Sequence, residues 1–360
     1  MLDPKQFLRL LKKNGINLFC GVPDSCVAPF LKELKNEKNY VLANEGLAVS
    51  FGAGYNLATN KIPLVYLQNS GLGNATDPLT NLTNKEVYKI PMVLLIGWRG
   101  YPGTKDEPQH IIQGKIVKKT LNSFNIPSIE LKSEKSFSSV QRLIDICKNK
   151  SKTVAIFVNK KTFIKKGDKI ILDKNKTFRR NFLTEIIKKT KPNDKIISSV
   201  GYNSREIYQI LKNLKLKRKV FYLIGAMGHT SSLALAYNIF QRNRVICIDG
   251  DGSFLMHLGS LVNIGNLAKN NFKYILFENQ SHESVGNIDL KYKVNYKKLS
   301  ESVGFNKFIS VDKISDTEKK FDLFFKSKEK TFMLIKINIG TFDNLLRIKE
   351  LDKIKERFVK

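Results

Sequence analysis

Short apolar or β-branched runs recur along the chain at 17–20, 63–67, 92–96, 127–131 and 154–158, and amphipathic stretches at 27–34, 46–59 and 137–147 lie between them. Runs of this kind mark strands buried on both faces of a parallel sheet. Parallel strands must be joined by crossovers, so the alternation predicts right-handed βαβ units in a doubly wound α/β domain. The pattern lapses over 161–177, which is polar and Lys-rich, and restarts with a helix at 180–189 and strands at 195–199, 220–223, 244–248, 273–278 and 332–337. The expected organisation is an α/β domain at 1–160, a linker at 161–177 and a second α/β domain at 178–360.

The formal net charge of +30 raises the reading of a basic nucleic-acid-binding protein. The lysines are scattered through nearly every segment, many beside Asn as in Lys148-Asn149-Lys150, which suits solvated faces. No zinc-finger spacing, basic zipper or RNA-binding aromatic strand is present, so no nucleic-acid partner is expected and that reading stays a remote alternative. Cys20, Cys26, Cys147 and Cys247 form neither a CxxC pair nor a disulfide framework, which fits a reducing compartment. The N-terminus reads as a helix capped by Asp3 with Pro4 in its first turn, not as an export signal, and a cytoplasmic protein is expected. The longest apolar stretch, 90–98, falls far short of the roughly 20 residues of a membrane helix and reads as a buried strand, so no membrane partner is expected.

Gly250-Asp251-Gly252-Ser253 directly follows the run at 244–248 and precedes Phe254-Leu255-Met256. Strand, glycine turn and helix start make a phosphate site, because glycine lets the backbone approach an anion and a helix N-terminus offers N–H donors. Asp251 would repel a bare phosphate, and a divalent cation between them removes the conflict. Asn279, twenty-eight residues after Asp251 at the carboxyl end of the next strand, supplies a second oxygen ligand where α/β sheets bind ligands. A GDG turn alone reads equally as a capped left-handed turn; the paired Asn favours the metal-bound diphosphate. A nucleotide-dependent oxidoreductase is disfavoured, since no GxGxxG with a ribose-binding acid follows the first strand.

With these residues the chain resembles the thiamine diphosphate-dependent decarboxylases, whose signature is GDG followed some 25 to 30 residues later by Asn, commonly after another Asn. Here the pair is Glu278-Asn279. The resemblance implies two doubly wound parallel-sheet domains, pyrimidine-binding and diphosphate-binding, with no middle domain. It also implies thiamine diphosphate and Mg²⁺ as cofactors, with Asp251, Asn279 and the Ser281 carbonyl as metal ligands and Gly250, Gly252 and Ser253 in the diphosphate turn. Glu45, in Asn44-Glu45-Gly46, matches the glutamate that protonates the cofactor's pyrimidine; the bland reading is a Glu favoured by a helix dipole. Gly225-Ala226-Met227-Gly228-His229 resembles the segment clamping the bent cofactor, with Gly225 giving a carbonyl and Met227 an apolar wedge, although Met is more often core filler.

Further segments resemble the subgroup of phosphonopyruvate and sulfopyruvate decarboxylases: Gly21-Val22-Pro23-Asp24-Ser25, Asn69-Ser70-Gly71-Leu72-Gly73-Asn74, Gly97-Trp98-Arg99-Gly100, Asp106-Glu107-Pro108-Gln109-His110 and Ser281-His282-Glu283-Ser284-Val285-Gly286. The implied reaction turns 3-phosphonopyruvate into phosphonoacetaldehyde and CO2, as in phosphonate biosynthesis; sulfopyruvate or another short 2-oxo acid is the alternative. For such an anionic substrate Arg99 offers a bidentate cation, Ser25 and Asn69 neutral donors, and His110 or His282 proton transfer near neutral pH. Asp24 orients donors or caps the next helix, Trp98 reads as a packed neighbour, and His229 and His257 as structural. Where the subgroup has a lysine the chain reads Gly201-Tyr202-Asn203-Ser204-Arg205-Glu206, which leaves an uncharged Tyr202. The resemblance implies a homodimer or higher homo-oligomer, its cofactor bridging the first domain of one subunit and the second of its neighbour.

Overall fold

A computed structural model describes residues 1–165, 167, 172–173 and 176–359. It separates into two compact units: Met1–Asp168 with Val285–Asp289, and Lys169–Ser284 with Leu290–Lys360. Of the expected linker, 166, 168–171, 174 and 175 lie outside the described residues.

The first unit is built on six parallel strands, β1 (Leu18–Gly21), β2 (Lys38–Val41), β3 (Leu64–Gln68), β4 (Val93–Gly97), β5 (Ser128–Glu130) and β6 (Val154–Val158), in the order β2-β1-β3-β4-β6-β5. Alternate residues feed two cores. Phe19, Tyr66, Leu95 and Ile156 pack on one face, and Cys20, Val65, Leu94 and Phe157 on the other. Burial of both faces explains why these strands are continuous apolar runs. Helix α1 (Pro4–Lys13) starts on the Asp3 cap, whose side chain accepts from Lys5 N. Helix α2 (Ala28–Leu31) follows β1, α3 (Glu45–Thr59) follows β2, α4 (Leu72–Leu82) follows β3, α5 (Pro108–Ser123) follows β4 and α6 (Phe137–Asn149) follows β5. The helix expected at 27–34 is shorter, because after Leu31 the chain tightens into a 3₁₀ turn at Lys32–Leu34.

The second unit repeats the plan with parallel strands β7 (Thr177–Phe178), β8 (Lys195–Ser198), β9 (Lys219–Tyr222), β10 (Val245–Gly250), β11 (Phe272–Glu278), β12 (Lys307–Val311) and β13 (Thr331–Asn338). Their order is β12-β13-β11-β10-β8-β9, with β7 paired to the end of β13. Ile196, Ile248, Ile275 and Ile335 pack on one face; Ile197, Cys247, Leu276 and Leu334 on the other. Helices α7 (Arg179–Lys189), α8 (Tyr202–Asn213), α9 (Thr230–Phe240) and α10 (Asp251–Met256) follow β7 to β10 in turn. Among the described residues no helix is long and apolar enough to cross a membrane, and all four cysteines are buried free thiols.

Candidate active site

In the second unit the loops leaving the carboxyl ends of β8, β9, β10 and β11 line one cleft, the position at which open parallel sheets bind ligands. Strand β10 ends at Gly250, and Asp251 opens α10 with its carboxylate buried. Asp251 Oδ1 accepts from Gly252 N at 2.8 Å, and Oδ2 from Asn279 N at 3.1 Å and Gln280 N at 2.7 Å. Burial raises its pKa to about 7 against these donors. A Cβ at Gly252 would stand 2.8 Å from His282 Cε1 and 3.4 Å from Met227 Cε, so only glycine leaves this corner open. Ser253 Oγ accepts from Gly228 N at 3.1 Å, tying the glycine turn after β10 to the segment carrying Met227. That segment turns through positive φ at Ala226 and Gly228; Met227 lines the cleft, whereas Gly225 is not among its lining residues.

Asn279 follows β11 directly. Its Oδ1 accepts from Ser281 N at 3.0 Å and its Nδ2 donates to Glu283 at 3.1 Å. Ser281 and His282 are buried in the cleft, and among the described residues Ser281 Oγ and His282 Nε2 have no partner. His282 sits in the second unit, beside Gly252, and burial pushes its pKa down to about 4. The unexpected Glu278 lies within hydrogen-bonding reach of Tyr296 and, at 3.5 Å, Gln280 Nε2. Tyr202 lines the cleft, and so does Arg179, which the sequence did not single out. Arg179 is buried between Glu206 and Glu283, with its guanidinium 5.8 Å from the Tyr202 ring centre. His229 and His257 stack with ring centres 4.5 Å apart.

In the first unit the loops after β1, β2, β3, β4 and β6 carry a second set of polar residues. Glu45 is the first residue of α3, and the Asn44 side chain caps that helix through Gly46 N at 2.7 Å. A glutamate answering only to the helix dipole would remain in solvent; Glu45 is 5% exposed. Its Oε2 accepts from Asn74 Nδ2 at 2.7 Å, and Gly71 packs so closely that a Cβ there would lie 2.4 Å from Oε1. Burial raises its pKa, and the Asn74 hydrogen bond opposes the rise. The structure also brings Asp24, Ser25, Asn69, Arg99 and His110 together. Arg99 grips Asp106 with Nε at 2.9 Å and Nη2 at 2.6 Å and reaches Ser25 Oγ with Nη1 at 3.2 Å. Lys160, just beyond β6, donates to the same Asp106 at 3.1 Å. Burial opposes the Asp106 charge, but the bonds from Arg99 and Gly100 N win and hold the carboxyl well below its usual range.

Asp24 is fully buried, and its two oxygens accept from Cys26 N at 2.7 Å and Gln68 Nε2 at 2.8 Å. It orients the β1 and β3 loops, and Gly97 leaves space for it, since a Cβ there would meet its Oδ1 at 2.0 Å. Buried His110 occupies the first turn of α5 with Nδ1 unpartnered. Burial, then Arg99, pushes its pKa down to about 4, so the imidazole is neutral at neutral pH, as is that of His282. Proton transfer by either ring near pH 7 would have to start from the neutral form, which differs from the near-neutral titration expected of an ordinary histidine. Trp98 is a packed neighbour, donating to Gly114 O at 2.9 Å.

Two families match the chain: thiamine pyrophosphate enzyme, N-terminal TPP binding domain, over residues 4–121, and thiamine pyrophosphate enzyme, C-terminal TPP binding domain, over residues 199–337. Phosphonopyruvate decarboxylase of Streptomyces viridochromogenes is 26% identical over 93% of this chain and 88% of its own length, and that of Streptomyces hygroscopicus 28% over 79% and 75%. The sulfopyruvate decarboxylase beta subunit of Methanocaldococcus jannaschii is 30% identical over 40% of this chain and 74% of its own length. The chain belongs to the thiamine pyrophosphate enzymes. Within them it is a decarboxylase of the phosphonopyruvate and sulfopyruvate decarboxylase type, and these relatives lend no support to the nucleic-acid reading of its charge.

The second-unit cleft fits the family's cofactor. Gly252 lets the turn pack directly against the His282 ring, and Ser281 Oγ and His282 Nε2 are buried polar atoms without a partner among the described residues, free to meet a bound anion. Among the described residues no three His, Cys, Asp or Glu side chains gather as a metal site. A cation here would depend on the Asp251 carboxylate, amide and carbonyl oxygens and the diphosphate itself, the sparse oxygen set that suits Mg²⁺.

Proposed function

We propose that this decarboxylase acts on 3-phosphonopyruvate, breaking its C1–C2 bond to release CO2 and phosphonoacetaldehyde, with Mg²⁺ and thiamine diphosphate bound in the second-unit cleft. Asp251, Asn279 and the Ser281 carbonyl would hold the metal, Gly250, Gly252 and Ser253 the diphosphate, and Gly225 and Met227 the cofactor's bend. Bound thiamine diphosphate supplies the carbon nucleophile and the electron sink. Glu45 keeps a proton available at Oε1, because Asn74 occupies Oε2 and burial disfavours the ionised carboxylate. Its role is to pass that proton to and from the pyrimidine ring.

The observation that carries the substrate reading is the convergence of two cations, Arg99 and Lys160, on one carboxylate beside the Ser25 hydroxyl. Asp106 and the buried Asp24 offset these charges, so an anionic head group is met chiefly by directed bonds from the remaining guanidinium N–H groups and Ser25, with Lys160 close by. Neutral His110 adds hydrogen-bonding capacity without charge, and Asn69 and Asp24 hold the loops that carry these groups. A homodimer is the minimal assembly proposed, since Glu45 and Asp251 belong to different units. Sulfopyruvate is the second reading, supported by the 30% identity to a sulfopyruvate decarboxylase subunit.

The test is to supply purified protein with thiamine diphosphate, Mg²⁺ and phosphonopyruvate, sulfopyruvate or pyruvate, and to follow CO2 and aldehyde. Phosphonopyruvate should show the highest kcat/KM. Equal or better turnover of either other acid would overturn the substrate assignment.

A further inference from the structure

The orientation of the Asn279 amide is dictated by its neighbours. A carboxylate only accepts, so the atom 3.1 Å from Glu283 Oε2 must be the NH2 group; Ser281 N–H only donates, so the atom 3.0 Å from it must be the oxygen. Glu283 is itself fixed. Its Oε2 also receives Arg179 Nη2, and its Oε1 receives Gly340 N from the end of β13. Arg179 donates its other arm, Nη1, to Glu206 at 3.2 Å, and the side chains of all three residues are at most 6% exposed.

Such a network is an inefficient way to gain stability, because desolvating three charges offsets most of their attraction. It is equally unsuited to hold a phosphate: the guanidinium is shared between two carboxylates. What it does accomplish is to hold one acceptor oxygen against the NH2 end of Asn279, which prevents the amide from flipping and keeps its oxygen as the end available to a cation.

Resting on the reading of Asp251 and Asn279 as metal ligands, we infer that Glu283, anchored by Arg179, is a positioning residue for the metal site, fixing which end of the Asn279 amide the cation meets. Outer partners of metal ligands typically alter metal affinity about 10- to 100-fold, and a change of that size is expected here.

The test measures Mn²⁺ binding in the presence of saturating thiamine diphosphate by electron paramagnetic resonance, which reads free Mn²⁺ without any turnover. Wild-type protein should bind Mn²⁺ with the cofactor; if it does not, the cofactor reading itself fails. In Glu283→Gln the side chain can accept or donate, only the Ser281 N–H still favours one orientation of the Asn279 amide, and the Mn²⁺ Kd should rise at least tenfold while the thermal midpoint stays within a few degrees. In an Asn279→Asp background, where both ends of the ligand are oxygen, Glu283→Gln should cause no further weakening. An unchanged Kd in the single variant, or an equal loss in the Asn279→Asp background, would overturn the inference. Should Glu283→Gln fail to fold, Glu283→Asp keeps a carboxylate for Arg179, and leaves Arg179 paired with Glu206, but shortens the reach to Asn279; the same tenfold rise is expected, and an unchanged Kd there would overturn it too.

Discussion

Asn69 holds the main chain of Arg99 at both of its polar atoms: Nδ2 donates to the Arg99 carbonyl at 2.9 Å, and Oδ1 accepts from its N–H at 3.0 Å. The loop after β3 thereby fixes the loop after β4, and a few residues further on Gly71 and, in the first turn of α4, Asn74 pack against Glu45. Glu45 and Arg99 thus share one support.

Asn69→Ala should leave the Arg99 carbonyl without the Asn69 donor and its N–H with only the Gly97 carbonyl, 3.2 Å away, at a cost of about 1 to 3 kcal/mol, and should raise KM as Arg99 loosens. Asn69→Asp should be no better, because it can accept from the Arg99 N–H but sets a carboxylate against the Arg99 carbonyl. Denaturant unfolding and steady-state kinetics on both variants check this. An aspartate variant with wild-type KM would show that the two-ended grip is unimportant.

A complementary prediction concerns Gly71. Its φ of −71° suits any residue, so Gly71→Ala introduces no backbone strain and acts only through the methyl group, which would meet the Glu45 carboxylate. Glu45→Gln removes the exchangeable proton and should lower kcat by about 10²- to 10⁴-fold, the usual worth of general acid–base catalysis, with cofactor affinity nearly unchanged. Gly71→Ala should lower kcat in the same direction by displacing that carboxyl. Calorimetric titration with thiamine diphosphate beside single-turnover rates separates the two effects, and a fully active Gly71→Ala would place the working carboxyl elsewhere.

Most of the fold legible in the sequence is buried on both sides, although the edge strands β5 and β9 also show as the runs at 127–131 and 220–223. Strands β1, β3, β4, β6, β10 and β11 appear as apolar runs because each face meets a core. Edge strand β2 alternates exposed and half-buried residues, and edge strand β12 is also only partly buried, so neither stands out as an apolar run. The site behaves similarly. Asp251, Asn279 and Glu45 sit at strand ends in recognisable motifs, whereas Arg179 follows a polar stretch and Lys160 has Lys161 beside it. Only the end of β6 distinguishes Lys160 from its neighbour, by aiming it at Asp106. The Glu283 carboxylate was visible within a motif, but its partners Arg179 and Asn279 are separated from each other by 100 positions of chain.

His110 gives a pH dependence whose sign follows from its burial. The folded ring has a pKa of about 4, against 6.5 for an exposed histidine. Below pH 6.5 the unfolded chain takes up a proton that the folded protein does not, so the His110 contribution to stability is complete above that pH and is lost as pH falls toward 4. Between pH 7 and 4.5 the loss amounts to roughly 2 to 3 kcal/mol. His110→Asn removes this term. Urea unfolding without cofactor should therefore find the variant gaining on the wild type by about that amount between pH 7 and pH 4.5, and a constant difference would mean that the folded ring titrates normally.

Lys160 provides the sharpest test of the anion site, because it is half-exposed and contacts the site only through Asp106. Replacing it by Met keeps most of the stem and removes the charge. In a partly solvated setting a unit charge a few ångströms away is worth about 1 kcal/mol, so KM for phosphonopyruvate should rise about five- to tenfold. kcat should stay within twofold, because uniform binding is lost and the chemistry is untouched. A phosphonate approaches two negative charges near neutral pH where a sulfonate carries one, so the rise should be smaller for sulfopyruvate, and Lys160→Met should shift preference toward the sulfonate. Steady-state kinetics on both acids across ionic strength resolve this: the KM difference from wild type should shrink as salt screens the charge. A fall in kcat with unaltered KM, or an equal effect on both acids, would remove Lys160 from substrate recognition and leave it as a tether for Asp106.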